Sequence, residues 1–326
     1  MALLSEADII RCLSAGYPHR ADVPLGIGDD GAILVPPPGR HLVSVLDTIN
    51  EDVHFPAGTP PAAIGHRALA VNLSDLAAMG AEPAWASLSL SLPEGQPGWV
   101  QAFADSFRQL AVTYGVTLVG GDTVRGPLSV TVQLTGFAEP GRCLTRSGAR
   151  SGDLVVISGV PGRASAGLGL IQRGDTGADG DQDGLREAFL RPSPRVRLGQ
   201  ALIGIATAAI DVSDGLLTDL ERVLEAGGVG AVIELDQVPV SDEAVAALGA
   251  EHALGLALNG GDDYELCFTL PAGGIGELPG LAEQGGCPLS VIGLIQEGAG
   301  VSFRRDGEPV AAPGTRSWSH FDGRQP

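Results

Sequence analysis

The chain has 326 residues, 44% hydrophobic and 18% charged, with a formal net charge of −19. A chain of this length usually forms more than one domain, so two are expected. Because 39 acidic residues face only 20 basic ones, the surface should repel nucleic acid, and we expect no nucleic-acid partner. All 20 basic residues are arginine. The absence of lysine excludes a Walker A loop, a protein-kinase strand lysine and a pyridoxal-phosphate Schiff base, so arginine and metal ions must neutralise any bound phosphate.

The apolar segments and the cysteines exclude further classes of protein. Apolar runs are interrupted by Gly, Pro or charge before the about 18 residues that a membrane span needs, so no membrane segment is expected. The N-terminal sequence MALLSEADIIRCL has no basic segment ahead of its apolar residues and does not resemble a signal peptide, which favours a cytoplasmic location. The cysteines form no CxxC pair, which argues against both a disulfide framework and a zinc site.

Hydrophobic periodicity predicts the elements of the first half in chain order. A helix is expected after Ser5, which is a good N-cap with an acidic residue three positions later. An Ala-rich helix over residues 62–81 follows two prolines and ends at a glycine. The remaining elements are strands at residues 32–35 and 42–46, a helix over residues 99–114 whose aromatic residues suit a core, and strands at residues 116–119 and 128–137.

A segment rich in Gly, Arg and Pro, residues 139–152, is the predicted domain boundary. It separates an N-terminal domain, residues 1–138, from a C-terminal domain, residues 148–326. The elements predicted after it are a strand at 154–158, a Gly- and Ala-rich helix, a helix near 195–207, a strand ending at 212, a helix over 216–224, and strands at 230–235 and 264–269. This mixed order indicates α+β lobes rather than a regular βαβ array.

Two patterns imitate known binding loops. The string GIGDDG at residues 26–31 fits the dinucleotide fingerprint GxGxxG, but a proline precedes it, a strand-like segment follows it, and its two aspartates would repel a pyrophosphate. The polar insert at residues 174–184 resembles the opening of an EF-hand loop, but its twelfth position is Leu190 instead of a bidentate carboxylate. A nicotinamide site is therefore rejected, and the insert is interpreted as a solvated surface loop.

Aspartates recur at turn positions along the chain: Asp29, Asp30, Asp47, Asp75, Asp122, Asp211, Asp214, Asp262 and Asp263. Singly, each Gly-Asp pair is typical of a turn. Asp75 differs because it lies in an apolar helix with Asn72 on the same face, and a buried carboxylate there needs an arginine or a metal partner. Mg²⁺ prefers oxygen ligands and bridges carboxylates to phosphates, so the pattern favours several magnesium ions that bind polyphosphate to an acidic protein.

The strings GIGDDGAIL, DVHF, ALAVNLSDLAAMGAEPAW, LVGGDT, LTRSGARSGD, RPSPR, IDVSDGLLTDL, GGDDYELCFT and WSHF occur in this order. Together they closely resemble the thiamine-monophosphate kinases of the aminoimidazole-ribonucleotide-synthetase-like superfamily, over nearly the whole chain. The resemblance implies a two-lobe α+β fold with mixed sheets and helices on one face. It also implies transfer of the γ-phosphoryl group of ATP to thiamine monophosphate with magnesium ions, and a homodimer formed through the sheet of an N-terminal lobe that binds metal and nucleotide.

The resemblance also implies roles for individual residues. The implied magnesium ligands are Asp30, Asp47, Asp75, Asp122, Asp211 and Asp214. The implied nucleotide contacts are Gly121, Asp122, Arg146 and Ser213, and the implied thiamine contacts are His54, Asp262 and Trp318. The residues expected to carry catalysis are Asp30, Asp75, Asp122, Arg146 and Asp211.

Such chemistry is consistent with the residues present. A phosphate oxygen is already ionised at neutral pH, so the reaction needs positioning and charge neutralisation rather than a strong base. Arg146 suits the equatorial oxygens of a transferred phosphoryl group, although a structural salt bridge is the alternative. Trp318 suits stacking on a cationic ring, although packing of a tail tryptophan is the alternative. His54 alone is more typical of a structural histidine.

Two departures from the family pattern concern residues near the proposed site. Val45 and Leu46 stand where the family has hydroxyl residues, and Asp262 stands where it has glutamate.

Two rival functions stay open. One is a superfamily enzyme acting on another acceptor. Of such enzymes, selenophosphate synthetases use a reactive Cys or selenocysteine and a lysine, and this chain has no lysine; the hydrogenase-maturation relative ends in a reactive Cys, whereas this chain ends FDGRQP. The other rival, of a different class, is a non-catalytic sensor of nucleotide and magnesium.

Overall fold

A computed structural model describes residues 2–174 and 182–311. The chain divides into two compact units. Unit 1 comprises the residues up to Leu76 together with Ala81–Gly141, and unit 2 comprises Ala77–Gly80 together with the residues from Arg142 onward.

Unit 1 contains three helices and one sheet. The helices are α1 (Glu6–Ser14), α2 (Pro61–Ala78) and α3 (Pro97–Thr113), and the strands are β1 (His41–Asn50), β2 (Glu82–Leu92), β3 (Thr117–Arg125) and β4 (Ser129–Ala138). The predicted cap of α1 is confirmed: the Ser5 side chain accepts a hydrogen bond from the Asp8 backbone N–H, and the Asp8 carboxylate accepts one from Ser5 N–H. In α3, Phe103 and Phe107 are buried, as expected for a core stripe.

The four strands of unit 1 form a mixed sheet in the order β1-β4-β2-β3. β4 is antiparallel to β1 and β2, and β2 is parallel to β3. Alternate residues of β4 are buried, as its sequence predicts. The strand expected at residues 32–35 is reduced to a single bridge between Ile33 and Leu25, because prolines interrupt the chain directly after it.

Unit 2 contains a seven-stranded sheet and seven helices in the described residues. The strands are β5 (Asp153–Ser158), β6 (Ala208–Val212), β7 (Gly230–Glu234), β8 (Glu265–Pro271), β9 (Leu289–Gln296), β10 (Gly300–Arg305) and β11 (Glu308–Val310), in the order β11-β10-β7-β9-β5-β8-β6. The helices are α4 (Arg163–Gln172), α5 (Asp183–Leu190), α6 (Val196–Ala201), α7 (Leu216–Gly227), α8 (Asp242–Leu248), α9 (Ala250–Asn259) and α10 (Leu278–Gly285). Each unit therefore combines helices with a mixed sheet, which confirms the predicted α+β class.

Two segments of unit 2, and the helices of both units, bear on predictions made from the sequence. The helix expected near residues 195–207 is α6, which ends at Ala201. Of the insert that resembles an EF-hand, residues 175–181 lie outside the described residues, while Asp183 begins α5 and pairs with Arg186. Among the described helices, none has the length and apolar character needed to cross a membrane.

Candidate functional site

Two of the aspartate motifs are adjacent in unit 2, although they are distant in sequence. β6 carries Asp211 and pairs antiparallel with β8. Beyond the paired strands, Asp262 N–H donates to the Ser213 carbonyl and Tyr264 N–H donates to the Val212 carbonyl, both at 2.8 Å. The segment DVSDG and the segment GGDDY are thus held together by their backbones, which brings the predicted residues Asp211, Ser213, Asp214 and Asp262 to one end of the two strands.

Glycines make this close approach of backbones possible. A Cβ atom on Gly261 would lie 2.5 Å from the Ser213 carbonyl oxygen, and one on Gly215 would lie 2.7 Å from the carbonyl oxygen of Asn259. Both distances are shorter than real contacts allow. The glycines of these motifs therefore have a packing role in addition to any contact with a ligand.

The backbone of GGDDY is strained at Asp262 and Tyr264. Asp262 has φ +69° and Tyr264 has φ +52°, so two non-glycine residues adopt left-handed conformations. Aspartate tolerates this region, whereas a bulky aromatic residue seldom enters it, and such conformations cost on the order of 1–3 kcal/mol each. The Tyr264 hydroxyl donates to Asp262 Oδ1 at 3.1 Å, which orients the Asp262 carboxylate.

Asp263 anchors the same loop to α4. Its Oδ2 accepts from Gly162 N–H at 2.6 Å and its Oδ1 accepts from Ala164 N–H at 3.1 Å. Burial of the carboxyl group raises the pKa of Asp263 to about 8, and the two N–H donors act in the opposite direction. Sequence reasoning placed Asp263 among the turn aspartates but gave it no role.

An arginine and a buried acid that the sequence analysis missed lie against DVSDG. Asp219 is fully buried, and its Oδ2 accepts from the N–H groups of Ser213 and Asp214 at 2.9 and 3.0 Å. Arg222 pairs with Asp219 and with Asp214, each at 2.5 Å. Burial raises the pKa of Asp219 to about 7, the Asp214 N–H opposes this, and the charges of Asp214 and Asp211 add to it. The i, i+3 spacing of Asp219 and Arg222 on α7 is the signal that would have found the pair.

A second buried ion pair connects two motifs of unit 2. Arg195, the last residue of RPSPR, donates to both carboxylate oxygens of Glu265 at 2.6 and 2.5 Å, and Ser158 donates to the same carboxylate at 2.5 Å. Glu265 follows Tyr264 and begins β8. The pair fixes the start of β8 directly after the strained loop.

Arg146 is exposed, in a segment that lies beside β6. Ala209 N–H donates to the Thr145 carbonyl at 3.0 Å. Gly148 has φ +132°, and a Cβ there would lie 2.2 Å from the Thr207 carbonyl oxygen. Within residues 2–174 and 182–311, no ion pair of Arg146 is found, so the salt-bridge interpretation has no support from this part of the chain.

In unit 1, Asn72 joins the strand that carries Asp47 to the helix that carries Asp75. The Asn72 side chain is buried, accepts from Asp47 N–H at 3.1 Å and donates to the Ala68 carbonyl at 3.1 Å. Asp75 is half-buried rather than fully buried, and it has interactions of its own. Asn72 holds β1 against α2, one turn before Asp75.

Asp47 and Asp122 lie on opposite edges of the unit 1 sheet. The paired residues form one row across the four strands: Asp47, Val132, Leu88 and Gly121. With strands about 4.8 Å apart, the ends of such a row are separated by roughly 14 Å. Asp122 follows Gly121 and is exposed. A single ion cannot be bound directly by both carboxylates, whereas several ions, each with one or two protein ligands, are compatible with this geometry.

Two further predicted residues of unit 1 lie in loops. Asp30 is exposed, and its N–H donates to Asp29 Oδ1 at 2.8 Å; no helix follows this loop, which agrees with rejecting a dinucleotide site. His54 is half-buried, and its Nδ1 accepts from Asn50 N–H at 3.0 Å. That bond makes Nε2 the protonated nitrogen of the neutral ring, so Nε2 is a hydrogen-bond donor.

The donor set suits magnesium chemically, but not as a preformed cage. Within the described ranges 2–174 and 182–311, no three His, Cys, Asp or Glu side chains are grouped closely enough to hold a metal ion. The predicted ligands are all aspartates, hard oxygen donors, and Mg²⁺ usually takes one or two carboxylates and completes its shell with water and phosphates. The residues present therefore fit ions that are bound together with a phosphate ligand. Trp318 lies outside the described residues.

Comparison with known proteins agrees with the order of the motifs. Residues 28–138 match the model of the AIR synthase related protein, N-terminal domain, and residues 150–306 match that of its C-terminal domain. The chain is 46% identical to the thiamine-monophosphate kinase of Escherichia coli K12 over 93% of both chains. It is also similar to the crystal structure of thiamine-monophosphate kinase from Stenotrophomonas maltophilia K279a, with TM-score 0.85 and 45% identity over 93% of this chain and 96% of that one. A third relative, complexed with AMPPCP and TMP, has TM-score 0.76 and 33% identity over 90% of this chain and 92% of that one. The chain therefore belongs to the thiamine-monophosphate kinase family of AIR synthase related proteins.

Proposed function

We propose that this chain transfers the γ-phosphoryl group of ATP to thiamine monophosphate, producing thiamine diphosphate and ADP. The observation that carries the proposal is the similarity over 90% of the chain to a relative complexed with AMPPCP and TMP. Direct in-line transfer fits the residues, because an ionised phosphate oxygen attacks without a general base.

The phosphates would be bound by three kinds of group: magnesium ligands, an arginine and contacts to the nucleotide. Magnesium, when bound, supplies the neutralisation of phosphate charge, and its ligands would be drawn from Asp30, Asp47, Asp75, Asp122, Asp211 and Asp214. Arg146, exposed and able to donate in a fork, would bind equatorial phosphate oxygens. Gly121 and Ser213 would contact the nucleotide through backbone or hydroxyl groups, next to Asp122 and Asp214 respectively.

The thiamine moiety would be bound by His54, Asp262 and Trp318. The His54 Nε2–H group is a donor, and Asp262 presents a carboxylate that Tyr264 orients. A carboxylate complements a cationic thiazolium ring. A homodimer formed through the unit 1 sheet and a cytoplasmic location complete the proposal.

A coupled assay tests this function directly. Purified protein with ATP and excess Mg²⁺ should form ADP with thiamine monophosphate, and not with thiamine or with aminoimidazole ribonucleotide precursors. Excess EDTA should abolish turnover, and added Mg²⁺ should restore it. Single-turnover measurement with γ-labelled ATP separates an enzyme from a sensor, because a sensor binds ATP without moving the label. Label transfer to another acceptor, or full activity in EDTA, would refute the proposal.

A further inference from the structure

The loop GGDDY contains two adjacent aspartates whose carboxylates have different surroundings. Asp262 is left-handed, and its Oδ1 accepts a hydrogen bond from the hydroxyl of its near neighbour Tyr264. Asp263 directs its carboxyl group onto the first turn of α4, where Gly162 and Ala164 donate to its two oxygens. The two residues therefore have separate tasks.

α4 depends on Asp263 for its N-terminal cap. The residue at its N-cap is Gly162, at φ +84°, which has no side chain to accept the first N–H groups. A Cβ on Gly162 would lie 2.5 Å from the Ala257 nitrogen, so a capping serine or aspartate cannot replace this glycine. A carboxylate from a distant segment supplies the acceptors instead.

The cap also fixes the loop. Ser165 Oγ, in the first turn of α4, donates to the Gly261 carbonyl at 3.0 Å. On the other side, Asp262 and Tyr264 donate their N–H groups to the carbonyls of Ser213 and Val212. Asp263 lies between these two backbone bonds, so its side chain is a fourth attachment of a short segment that has two left-handed residues. A strained conformation persists only when its surroundings determine it from several directions.

We infer that Asp263 is a positioning residue: by capping α4 it holds Asp262 in its left-handed conformation and so sets where the Asp262 carboxylate meets the substrate. The inference rests on the proposed function for the identity of that substrate, but not for the anchoring itself.

The test uses Asp263→Ala, Asp263→Asn and the control Ser241→Ala. Ser241 caps α8 by accepting from Ala244 N–H, and α8 contacts α4 through the Arg163–Glu243 ion pair. A general effect of losing a helix cap beside α4 would therefore appear in this control as well. Asp263→Ala should raise the KM for thiamine monophosphate about tenfold and leave the KM for ATP within about twofold. Asp263→Asn keeps one acceptor oxygen and should give a smaller increase, and Ser241→Ala should change neither KM.

A double-mutant cycle decides whether Asp263 acts through Asp262. In an Asp262→Asn background, Asp263→Ala should raise the KM for thiamine monophosphate no further, because the carboxylate that it positions is gone. Additive effects, or equal increases in both KM values, would overturn the inference.

A readout that does not involve activity keeps the anchoring distinct from the proposed function. Hydrogen exchange measured by mass spectrometry should speed up across residues 260–264 in Asp263→Ala, and not in Ser241→Ala. Unchanged exchange there would refute the anchoring even if the enzyme phosphorylates thiamine monophosphate. Faster exchange in a protein without that activity would refute the substrate assignment and leave the anchoring intact.

Discussion

At the scale of single residues, Asn72 and Asp75 lie one helical turn apart, but we expect Asn72 to contribute to stability and Asp75 to catalysis. Asn72 is buried and bonded on both sides, whereas Asp75 is partly open to solvent. We expect Asp75→Asn to lower kcat/KM by about 100-fold or more, since it removes a proposed magnesium ligand, with little change in the free energy of unfolding. Steady-state kinetics and denaturant unfolding on the same preparation measure both effects.

Asn72→Ala is the matched comparison. It leaves the Asp47 N–H without its acceptor, whereas the Ala68 carbonyl keeps its bond from the helix backbone, so it should lower the free energy of unfolding by about 1–3 kcal/mol. If Asp75→Asn instead unfolds as easily as Asn72→Ala while its kinetics stay normal, Asp75 has a structural role.

Asp262 supports a prediction that separates its charge from its backbone. Because Asp262 is left-handed, alanine there would both remove the carboxylate and add strain, whereas Asn and Gly tolerate φ > 0. Asp262→Asn and Asp262→Gly should each reduce kcat/KM for thiamine monophosphate by a factor that corresponds to a loss of about 1–3 kcal/mol of transition-state stabilisation. The KM for ATP should be nearly unchanged. Asp262→Glu, the residue usual in the family, should shift only the KM for thiamine monophosphate. Equal defects toward both substrates in a variant that melts normally would exclude a substrate contact.

At the scale of secondary-structure elements, Gly121 has a structural reason to be glycine. Its φ is +152°, and a Cβ would lie 1.8 Å from the Leu88 carbonyl oxygen on the neighbouring strand. Gly121→Ala should therefore separate β3 from β2 and reduce the free energy of unfolding by about 1–3 kcal/mol or more. The adjacent Gly120 has open space around its Cβ position, so Gly120→Ala should melt like the wild type. Equal melting temperatures for the two variants would show that the β2–β3 approach is not as close as described.

The segment before the GIGDD loop supports a prediction about acid stability. Arg20 Nε and Nη2 donate to the two Asp22 oxygens at 2.9 and 2.7 Å, and these hydrogen bonds lower the pKa of Asp22. The folded state thus binds the Asp22 proton less tightly than the unfolded state, so the stabilisation is present above the ordinary aspartate pKa of about 3.9 and is lost as the pH falls through the lowered value. The free energy of unfolding, measured with urea, should fall less between pH 6 and pH 3 for Asp22→Asn than for the wild type. An identical loss would mean that the ion pair adds nothing.

Individual helices and strands were easier to predict from the sequence than the contacts between elements that are distant in sequence. α2 and β4 were predicted because their apolar periods are clear and Pro or Gly marks their ends. β2 was missed although Leu88, Leu90 and Leu92 alternate with serines. The pairing of DVSDG with GGDDY was not predictable, because the register of strands distant in sequence follows from tertiary packing. The same holds for the left-handed Asp262 and for the capping role of Asp263, whereas Asp219 and Arg222 were within reach of a helical-spacing argument.

At the scale of the whole molecule, the charge of −19 and the lack of lysine have a common consequence. Several aspartates proposed as ligands are exposed or half-buried. Solvent and salt therefore screen the repulsion between their charges when no cation is bound. Arg222 already neutralises part of the DVSDG cluster. Binding of polyphosphate by such a chain therefore depends on cations that accompany it, which is why the proposed activity is expected to require magnesium throughout.

The proposed homodimer is testable at β1, an edge strand of the unit 1 sheet. Leu42 and Leu46 are four residues apart on this strand, so they lie on one face, and they are 53% and 62% exposed. Open edges and apolar side chains of this kind are normally covered, and a second copy of the chain would cover them. Leu46→Asp should therefore convert a dimer into a monomer in light scattering at micromolar concentration. Val112→Asp, at a position 51% exposed on α3, is the control and should leave the molar mass unchanged. A wild-type protein with the mass of one chain, or a Leu46→Asp variant that stays dimeric, would show that β1 is not the contact, and the exposed leucine would then be a simple departure from the hydroxyl residue of the family.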